Sequence, residues 1–142
     1  MTARAFVDTN VWVYAVDTAD EGKRQLALDL LSPSADKDYV ISVQVIGEFY
    51  STVTGKLHQA VAQSQALAMV ERMQQLPVLP LDLSIVTQAI ADNARWRISY
   101  WDALIVAAAS VAGCDVILSE DLTDGASYGS VTVTNPFRSA GP

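Results

Sequence analysis

The chain has 142 residues, 51% of them hydrophobic, and its nine Lys and Arg against sixteen Asp and Glu give a formal net charge of −7 at pH 7. This length and apolar content predict one domain, residues 1–142, around a single core. The negative charge argues against a broad nucleic-acid-binding surface, because phosphate contacts are made mainly by Lys and Arg. It remains compatible with a local acidic metal site or with a basic protein partner.

Neither a membrane anchor nor a zinc site is indicated. No apolar run approaches the roughly 20 residues that cross a bilayer, and Asp8 follows the first short apolar stretch too soon for a secretory signal. We therefore expect a cytoplasmic protein. Cys114 is the only cysteine and His58 the only histidine, which excludes an intrachain disulfide and disfavours a Cys/His zinc site. Cys114 is interpreted as a packing residue and His58 as a surface or helix-entry residue.

The first half of the chain predicts strands alternating with helices. The expected elements are a strand at 3–7, helices at 10–16 and 21–31, and a strand at 39–41. A further helix is expected to begin after Ser42 as N-cap, to run to about Thr54 and to end at Gly55.

The second half continues the alternation. Apolar residues at helical spacing predict a helix over 59–75, with the repeating positions Val61, Leu67, Val70, Met73 and Leu76. A short extended segment at 78–81 precedes a helix that Asp82 or Ser84 caps and that runs to about Trp96. The last predicted elements are a helix at 100–112 opened by Ser99 and closed by a left-handed Gly113, and strands at 115–118 and 131–133. Such alternation predicts a parallel sheet with helices on both faces.

Four carboxylates are predicted to share one edge of this sheet. Asp8 follows the first strand, Glu48 lies on the helix after the second, and Asp121 follows the strand at 115–118. Asp102 lies in the first turn of a helix that runs antiparallel to the strands, so it should reach the same edge. Functional groups in parallel sheets gather beyond the carboxyl ends of the strands, and these four acids are the candidate site.

Converging carboxylates require a positive counter-charge. Two unit charges about 4 Å apart repel by about 4 kcal/mol at an effective dielectric of 20. Mg²⁺ or Mn²⁺, which prefer carboxylate and water ligands, would offset this repulsion. A bound cation also activates water and neutralises charge on a phosphoryl group. Metal-activated hydrolysis is therefore the chemistry that these residue types best support.

Each acid also has a purely structural interpretation. Asp8, like Asn10, fits an Asx residue that initiates a helix, and Ser99 with Asp102 fits the N-cap and N3 positions of a capping box. Glu48 could be a solvated surface residue and Asp121 an ordinary loop acid. Their common position at one predicted edge favours the site.

These residues together resemble the PIN domain family over nearly the whole chain. The matching motifs are Phe6-Val7-Asp8-Thr9-Asn10, Ser42-Val43-Gln44-Val45-Ile46-Gly47-Glu48-Phe49, Trp101-Asp102-Ala103-Leu104-Ile105 and Leu118-Ser119-Glu120-Asp121-Leu122. The compact length is similar to that of the VapC-like toxins of toxin–antitoxin pairs. The resemblance implies a three-layer α/β/α sandwich with a central parallel sheet of four to five short strands.

The same resemblance implies an endoribonuclease that depends on Mg²⁺ or Mn²⁺, forms a homodimer and is neutralised by a small antitoxin protein. Asp8, Glu48 and Asp102 match the family's three near-invariant acids and Asp121 its more variable fourth acid. Polar residues that steady the metal shell would be Thr9 or Asn10 and Ser119. Whether Glu120 or Asp124 joins the site stays open.

Arg95 and Arg97 flank Trp96 just before the Asp102 helix. They could contact RNA, although cations at a helix C-terminus are also favoured by its dipole.

Two other functions compete with the nuclease. Phosphoaspartyl hydrolases need a second Asp where this chain has Asn10, and receiver domains need a late lysine, whereas no lysine follows Lys56. A catalytically degenerate PIN-like module that binds RNA or protein remains the alternative.

Overall fold

The structure, a computed structural model, describes residues 3–57 and 59–138. Its six strands are β1 (Arg4–Val7), β2 (Asp38–Ser42), β3 (Val78–Leu79), β4 (Val116–Leu118), β5 (Ser127–Tyr128) and β6 (Val131–Thr134). Its α-helices are α1 (Thr9–Val16), α2 (Glu21–Leu30), α3 (Val43–Ser51), α4 (Gln63–Met73), α5 (Leu83–Trp96) and α6 (Tyr100–Val111).

One sheet contains all six strands in the order β3-β2-β1-β4-β6-β5. Neighbouring strands pair in parallel, except that β5 runs antiparallel to β6. In the centre, Phe6 of β1 lies in register with Val40 of β2 and Ile117 of β4. The parallel sheet is as predicted, with one strand more than expected. That strand, β5, has two residues and lies in a loop rich in Ser and Gly. It is too short to show the alternation of apolar residues that predicts a strand.

Helices cover both faces of the sheet. Consecutive residues of β1, Ala5, Phe6 and Val7, are all buried, and because side chains alternate between faces, both faces must be packed. α5 packs on α6, while α1 packs on α2 and α3, and α3 on α4. These two groups of helices form the outer layers of the expected three-layer α/β/α sandwich.

The helix predicted at 59–75 begins later than expected, at Gln63. The amide of Val61 instead donates to the carbonyl of Val53 at 3.0 Å, so this tertiary contact takes the backbone away from helix geometry. The buried face of α4 is Ala66, Met69 and Met73. Leu67, which the predicted periodicity placed inside, is 49% exposed.

Of the two helix ends predicted at glycines, one differs from the prediction and one agrees with it. α3 passes into a π-helical turn, Thr52–Lys56, that contains Gly55, so this glycine lies within the last turn and does not follow it. Gly113 has the predicted left-handed conformation, with φ of 74°. No helix among the described residues is both long and apolar enough to span a bilayer.

Candidate active site

Asp8 lies at the carboxyl edge of the sheet, between two strands and the start of α1. Its amide donates to the carbonyl of Leu118, at the end of β4, at 3.0 Å. The side chain caps α1, with Oδ1 accepting from the amide of Thr9 at 2.7 Å. Oδ2 accepts from the Ser119 hydroxyl, also at 2.7 Å. Asp8 is therefore a helix cap, as one interpretation held, and at the same time a buried carboxylate at the predicted edge.

Ser119 and Asn10 attach the loop after β4 to the start of α1. The Ser119 hydroxyl accepts from the amides of Asp121 at 3.1 Å and Leu122 at 3.3 Å. The side-chain nitrogen of Asn10, Nδ2, lies 3.3 Å from both Ser119 Oγ and Asp121 Oδ2. The side-chain oxygen of Asn10, Oδ1, accepts from the backbone amide of Glu120 at 3.1 Å. These bonds hold Asp121 beside Asp8.

Glu48 is exposed on α3 and is held by a residue that the sequence analysis did not single out. Gln44 Nε2 donates to Glu48 Oε1 at 2.6 Å and to the carbonyl of Trp101 at 3.1 Å. One amide thus links α3 to the first turn of α6. The available sequence signal was weak: a glutamine four residues before a glutamate lies on the same helix face.

Asp102 lies in that first turn of α6. The Ser99 hydroxyl accepts from the Asp102 amide at 3.0 Å, so Ser99 is the predicted N-cap. Burial raises the pKa of the Asp102 carboxyl, and the nearby charge of Asp121 raises it further, while the Ser99 hydroxyl opposes the shift. The cap interaction and proximity to Asp121 therefore coexist.

Burial and neighbouring acids act on the carboxyls of Asp8 and Asp102. Burial raises the pKa of Asp8 to about 6, and the negative charges of Asp121 and Glu48 contribute to the same shift. Hydrogen bonds from Ser119 and the Thr9 amide act in the opposite direction. The charges of Asp121 and Glu48 thus act on the Asp8 carboxyl, and the charge of Asp121 acts on the Asp102 carboxyl.

Glu48 and Asp121 border a common open cavity of about 310 Å³, together with Asn10 and Glu120. Within residues 3–57 and 59–138, no three acidic, His or Cys side chains are arranged so that they could hold a metal ion by themselves. The oxygen-rich donor set nevertheless fits a hydrated divalent cation, because Mg²⁺ usually retains several waters and takes only one or two carboxylates.

Two buried hydroxyls at this edge agree with that fit. Thr9 Oγ1 and Ser42 Oγ have no hydrogen-bond partner among the described residues. Ser42 is at the predicted N-cap position of α3, yet its side chain forms no capping bond. Buried polar groups are normally satisfied by protein or by ordered water, so both hydroxyls suit a hydrated site.

The two additional acids are paired with basic side chains. Glu120 forms an ion pair with Lys23 at 2.7 Å and accepts from the Tyr14 hydroxyl. Asp124 accepts from the amide of Asn135 at 2.8 Å and pairs with Arg138. Of the three acids in this loop, Asp121 is the one whose carboxylate accepts a hydrogen bond from Asn10.

Arg95 and Arg97 have different environments. Arg95 donates to the buried Asp92 at 2.9 Å and lies over the ring of Trp96, 3.9 Å from its centroid. Arg97 is the exposed C-cap of α5, with φ of 55°. The helix-end interpretation thus describes their positions, and RNA contact by either residue stays a prediction.

Cys114 is buried, as expected of a packing residue. Burial raises the pKa of its thiol to about 11, so it is protonated at neutral pH and is a poor nucleophile. His58 lies outside the described residues.

Sequence comparison identifies the family. The PIN domain profile matches residues 5–123. The chain belongs to the PIN domain family. No curated protein sequence gives a significant match.

Solved structures with the same fold include a toxin and toxin–antitoxin complexes. VapC20 of Mycobacterium tuberculosis, described as a sarcin-ricin loop cleaving toxin, aligns with a TM-score of 0.64 and 20% identity over 82% of this chain and 91% of its own. A toxin–antitoxin complex from Klebsiella pneumoniae aligns with a TM-score of 0.66 and 17% identity over 93% of this chain and 97% of its own. DNA-bound VapBC from Salmonella typhimurium aligns with a TM-score of 0.64 and 20% identity over 95% of this chain and 99% of its own. At these identities the likeness shows the fold, which is the predicted PIN-like α/β architecture.

Proposed function

We propose that this PIN-domain protein is an endoribonuclease that depends on Mg²⁺ or Mn²⁺ and acts as the toxin of a toxin–antitoxin pair. The observation that carries the proposal is the hydrogen bonding at one edge of the sheet. Ser119 and Asn10 join Asp8 to Asp121, and Gln44 joins Glu48 to the helical turn that carries Asp102. Crowded carboxylates are costly without a counter-charge, and a PIN fold with such a group suits metal-assisted hydrolysis.

Asp8, Asp102 and Asp121 are the residues that would hold the cation, directly or through water, with Glu48 beside them. When bound, the cation lowers the pKa of a coordinated water and neutralises charge on the phosphoryl group. Thr9, Asn10 and Ser119 steady this arrangement, since Ser119 fixes Asp8 and Asn10 contacts Asp121. The Asp8 side chain is already positioned by two hydrogen bonds before any substrate binds.

Glu48 is the proposed general base. Gln44 binds its Oε1, which leaves Oε2 to accept a proton from the attacking water. The water oxygen attacks phosphorus in line, the bond from phosphorus to O3′ breaks, and O3′ takes up a proton. The products are a 5′-phosphate and a 3′-hydroxyl.

The proposed partners are an RNA substrate, a second copy of the chain in a homodimer and a cognate antitoxin protein. Structural neighbours include toxin–antitoxin complexes bound to DNA, which supports an antitoxin partner. The net charge of −7 suits an antitoxin segment of basic character. Because the substrate is cellular RNA, we place the activity in the cytoplasm.

The deciding experiment sequences the 5′ ends released from total RNA by the wild-type protein and by Asp8→Asn in Mg²⁺. We expect discrete new 5′-phosphate ends with the wild type and none with Asp8→Asn. A variant on the exposed face of α4, Glu71→Gln, serves as the matched control and should cut like the wild type. Binding of RNA by wild type and Asp8→Asn alike, with no new ends from either, would instead identify a degenerate binding module.

A further inference from the structure

Trp101, in the first turn of α6, has an exposed aromatic side chain, although most of this helix is buried. Trp101 is 64% exposed, whereas the seven residues of 103–109 are all buried. Its ring packs edge-to-face on Tyr100, with centroids 5.0 Å apart. Tyr100 thus limits the orientations of the indole while most of the ring remains accessible to solvent.

The position of Trp101 connects it to the acidic edge. It directly precedes Asp102, and its carbonyl accepts from Gln44, the residue that also binds Glu48. The backbone that carries the indole is therefore tied to two of the proposed active-site acids. A nucleotide whose phosphate reaches these acids would therefore lie near the backbone that carries this ring.

The charge of the chain gives such a ring a specific use. With a net charge of −7, the chain as a whole repels the RNA backbone. Stacking of an unpaired base on an aromatic ring adds affinity without requiring a positive charge, and it tolerates different bases. An exposed indole beside an acidic site is thus suited to a single-stranded nucleic acid.

We propose that Trp101 is a stacking platform for an unpaired RNA base next to the cleaved phosphodiester bond. The proposal rests on the nuclease function proposed above and specifies its substrate as RNA that is unpaired at the cleavage site. RNA is favoured over a second copy of the chain, because the Trp101 carbonyl shares Gln44 with Glu48 and the next residue in the chain is Asp102, and both acids belong to the proposed active site.

The test measures binding of a fluorescently labelled single-stranded RNA that spans a mapped cleavage site. All proteins carry Asp8→Asn, so that no cleavage occurs, and anisotropy is recorded in Mg²⁺. Trp101→Ala should weaken binding by about 10-fold or more, and Trp101→Phe by much less. Leu83→Ala is the control, because Leu83 is also an exposed apolar residue, 77% accessible, but lies on α5 and not on the helix that carries Asp102.

A second arm removes the base instead of the ring. An abasic nucleotide beside the cleavage site should weaken binding as much as Trp101→Ala does, and the two changes together should cost no more than either alone. Quenching of tryptophan fluorescence by intact RNA should be lost in Trp101→Phe, although Trp12 and Trp96 remain.

Two results would overturn the stacking proposal. One is equal RNA affinity for the Asp8→Asn protein with and without Trp101→Ala. The other is dissociation of a dimer by Trp101→Ala with unchanged affinity per chain, which would assign the ring to contact with a second copy. In either case cleavage by the wild-type protein would leave the nuclease proposal standing, whereas absence of cleavage would refute the nuclease proposal itself.

Discussion

Gln44 Nε2 lies 2.6 Å from Oε1 of Glu48 and also donates to the carbonyl of Trp101. The glutamine therefore fixes an exposed carboxylate relative to the first turn of α6. Its own Oε1 is buried without a partner among the described residues. An unpaired acceptor of this kind destabilises the fold, so the arrangement is better explained by positioning of Glu48 than by stability.

Replacing Gln44 tests this positioning role. Gln44→Leu removes the unpaired acceptor, so we expect the free energy of unfolding to change by less than about 1 kcal/mol. Loss of the anchor on Glu48 should lower kcat for RNA cleavage about 10- to 100-fold with little change in KM. Cleavage kinetics and a thermal melt measure the two effects. Gln65→Leu, an exposed position on α4, should change neither. Equal kcat values for wild type and Gln44→Leu would rule out the role.

Asp8 should make the metal-free protein less stable at high pH. Its pKa rises from 3.8 to about 6 on folding, mainly through burial, so the folded chain binds the proton more tightly. The contribution of Asp8 therefore favours folding below about pH 4 and is lost as pH rises through 6. A shift of about two units corresponds to about 3 kcal/mol.

Asp8→Asn should accordingly be more stable than the wild type at pH 8 in EDTA, by up to about 3 kcal/mol, and the difference should disappear near pH 4. Asparagine retains an oxygen that can cap α1. Urea unfolding at both pH values provides the measurement, and Asp29→Asn, exposed on α2, is the control. A difference that does not depend on pH would contradict the assigned burial of the charge.

Mn²⁺ should stabilise the wild-type protein. A ligand that binds only the folded state at 100 times its Kd adds about 2.7 kcal/mol of stability. The rise in Tm on adding Mn²⁺ should shrink in Asp121→Asn and Glu48→Gln, because each removes a carboxylate from the proposed site. Glu71→Gln should retain the full rise. If Mn²⁺ raises the Tm of all four proteins by the same amount, the cation binds elsewhere.

Ser119 should be needed for both stability and the charge state of Asp8. It is fully buried, donates to Asp8 and accepts from two loop amides. Ser119→Ala leaves these groups without their partner, and we expect a loss of about 1–3 kcal/mol at pH 7. Because the Ser119 hydrogen bond lowers the pKa of Asp8, its removal should raise that pKa further.

Chemical denaturation and titration of the Asp8 carboxyl by NMR check both effects. Ser127→Ala is the matched control, since its hydroxyl bonds to Thr132 on the exposed surface. A Ser119→Ala protein as stable as Ser127→Ala, with an unchanged pKa for Asp8, would show that the buried network is not required.

Local sequence signals predicted most elements and the caps that begin them. Asp82 and Ser99 occupy the N-caps of α5 and α6, as side chains of their type favour. Long-range contacts decided the exceptions. The amide of Val61 donates to the carbonyl of Val53, so α4 begins later in the chain than predicted. β5 is defined by its pairing with β6.

The sequence by itself determined which residue types follow each strand, and so placed Asp8, Glu48, Asp102 and Asp121 as candidates at one sheet edge. It could not choose among Glu120, Asp121 and Asp124, since adjacent loop acids look alike in a linear chain. The tertiary structure distinguishes them by the partners of their carboxylates: Lys23 pairs with Glu120 and Arg138 with Asp124, while the carboxylate of Asp121 accepts from Asn10. Hydrogen bonds and ion pairs depend on distance in space. Lys23 and Glu120 are separated by 97 positions in the chain, and Asn10 and Asp121 by 111, so only folding brings the members of each pair into contact.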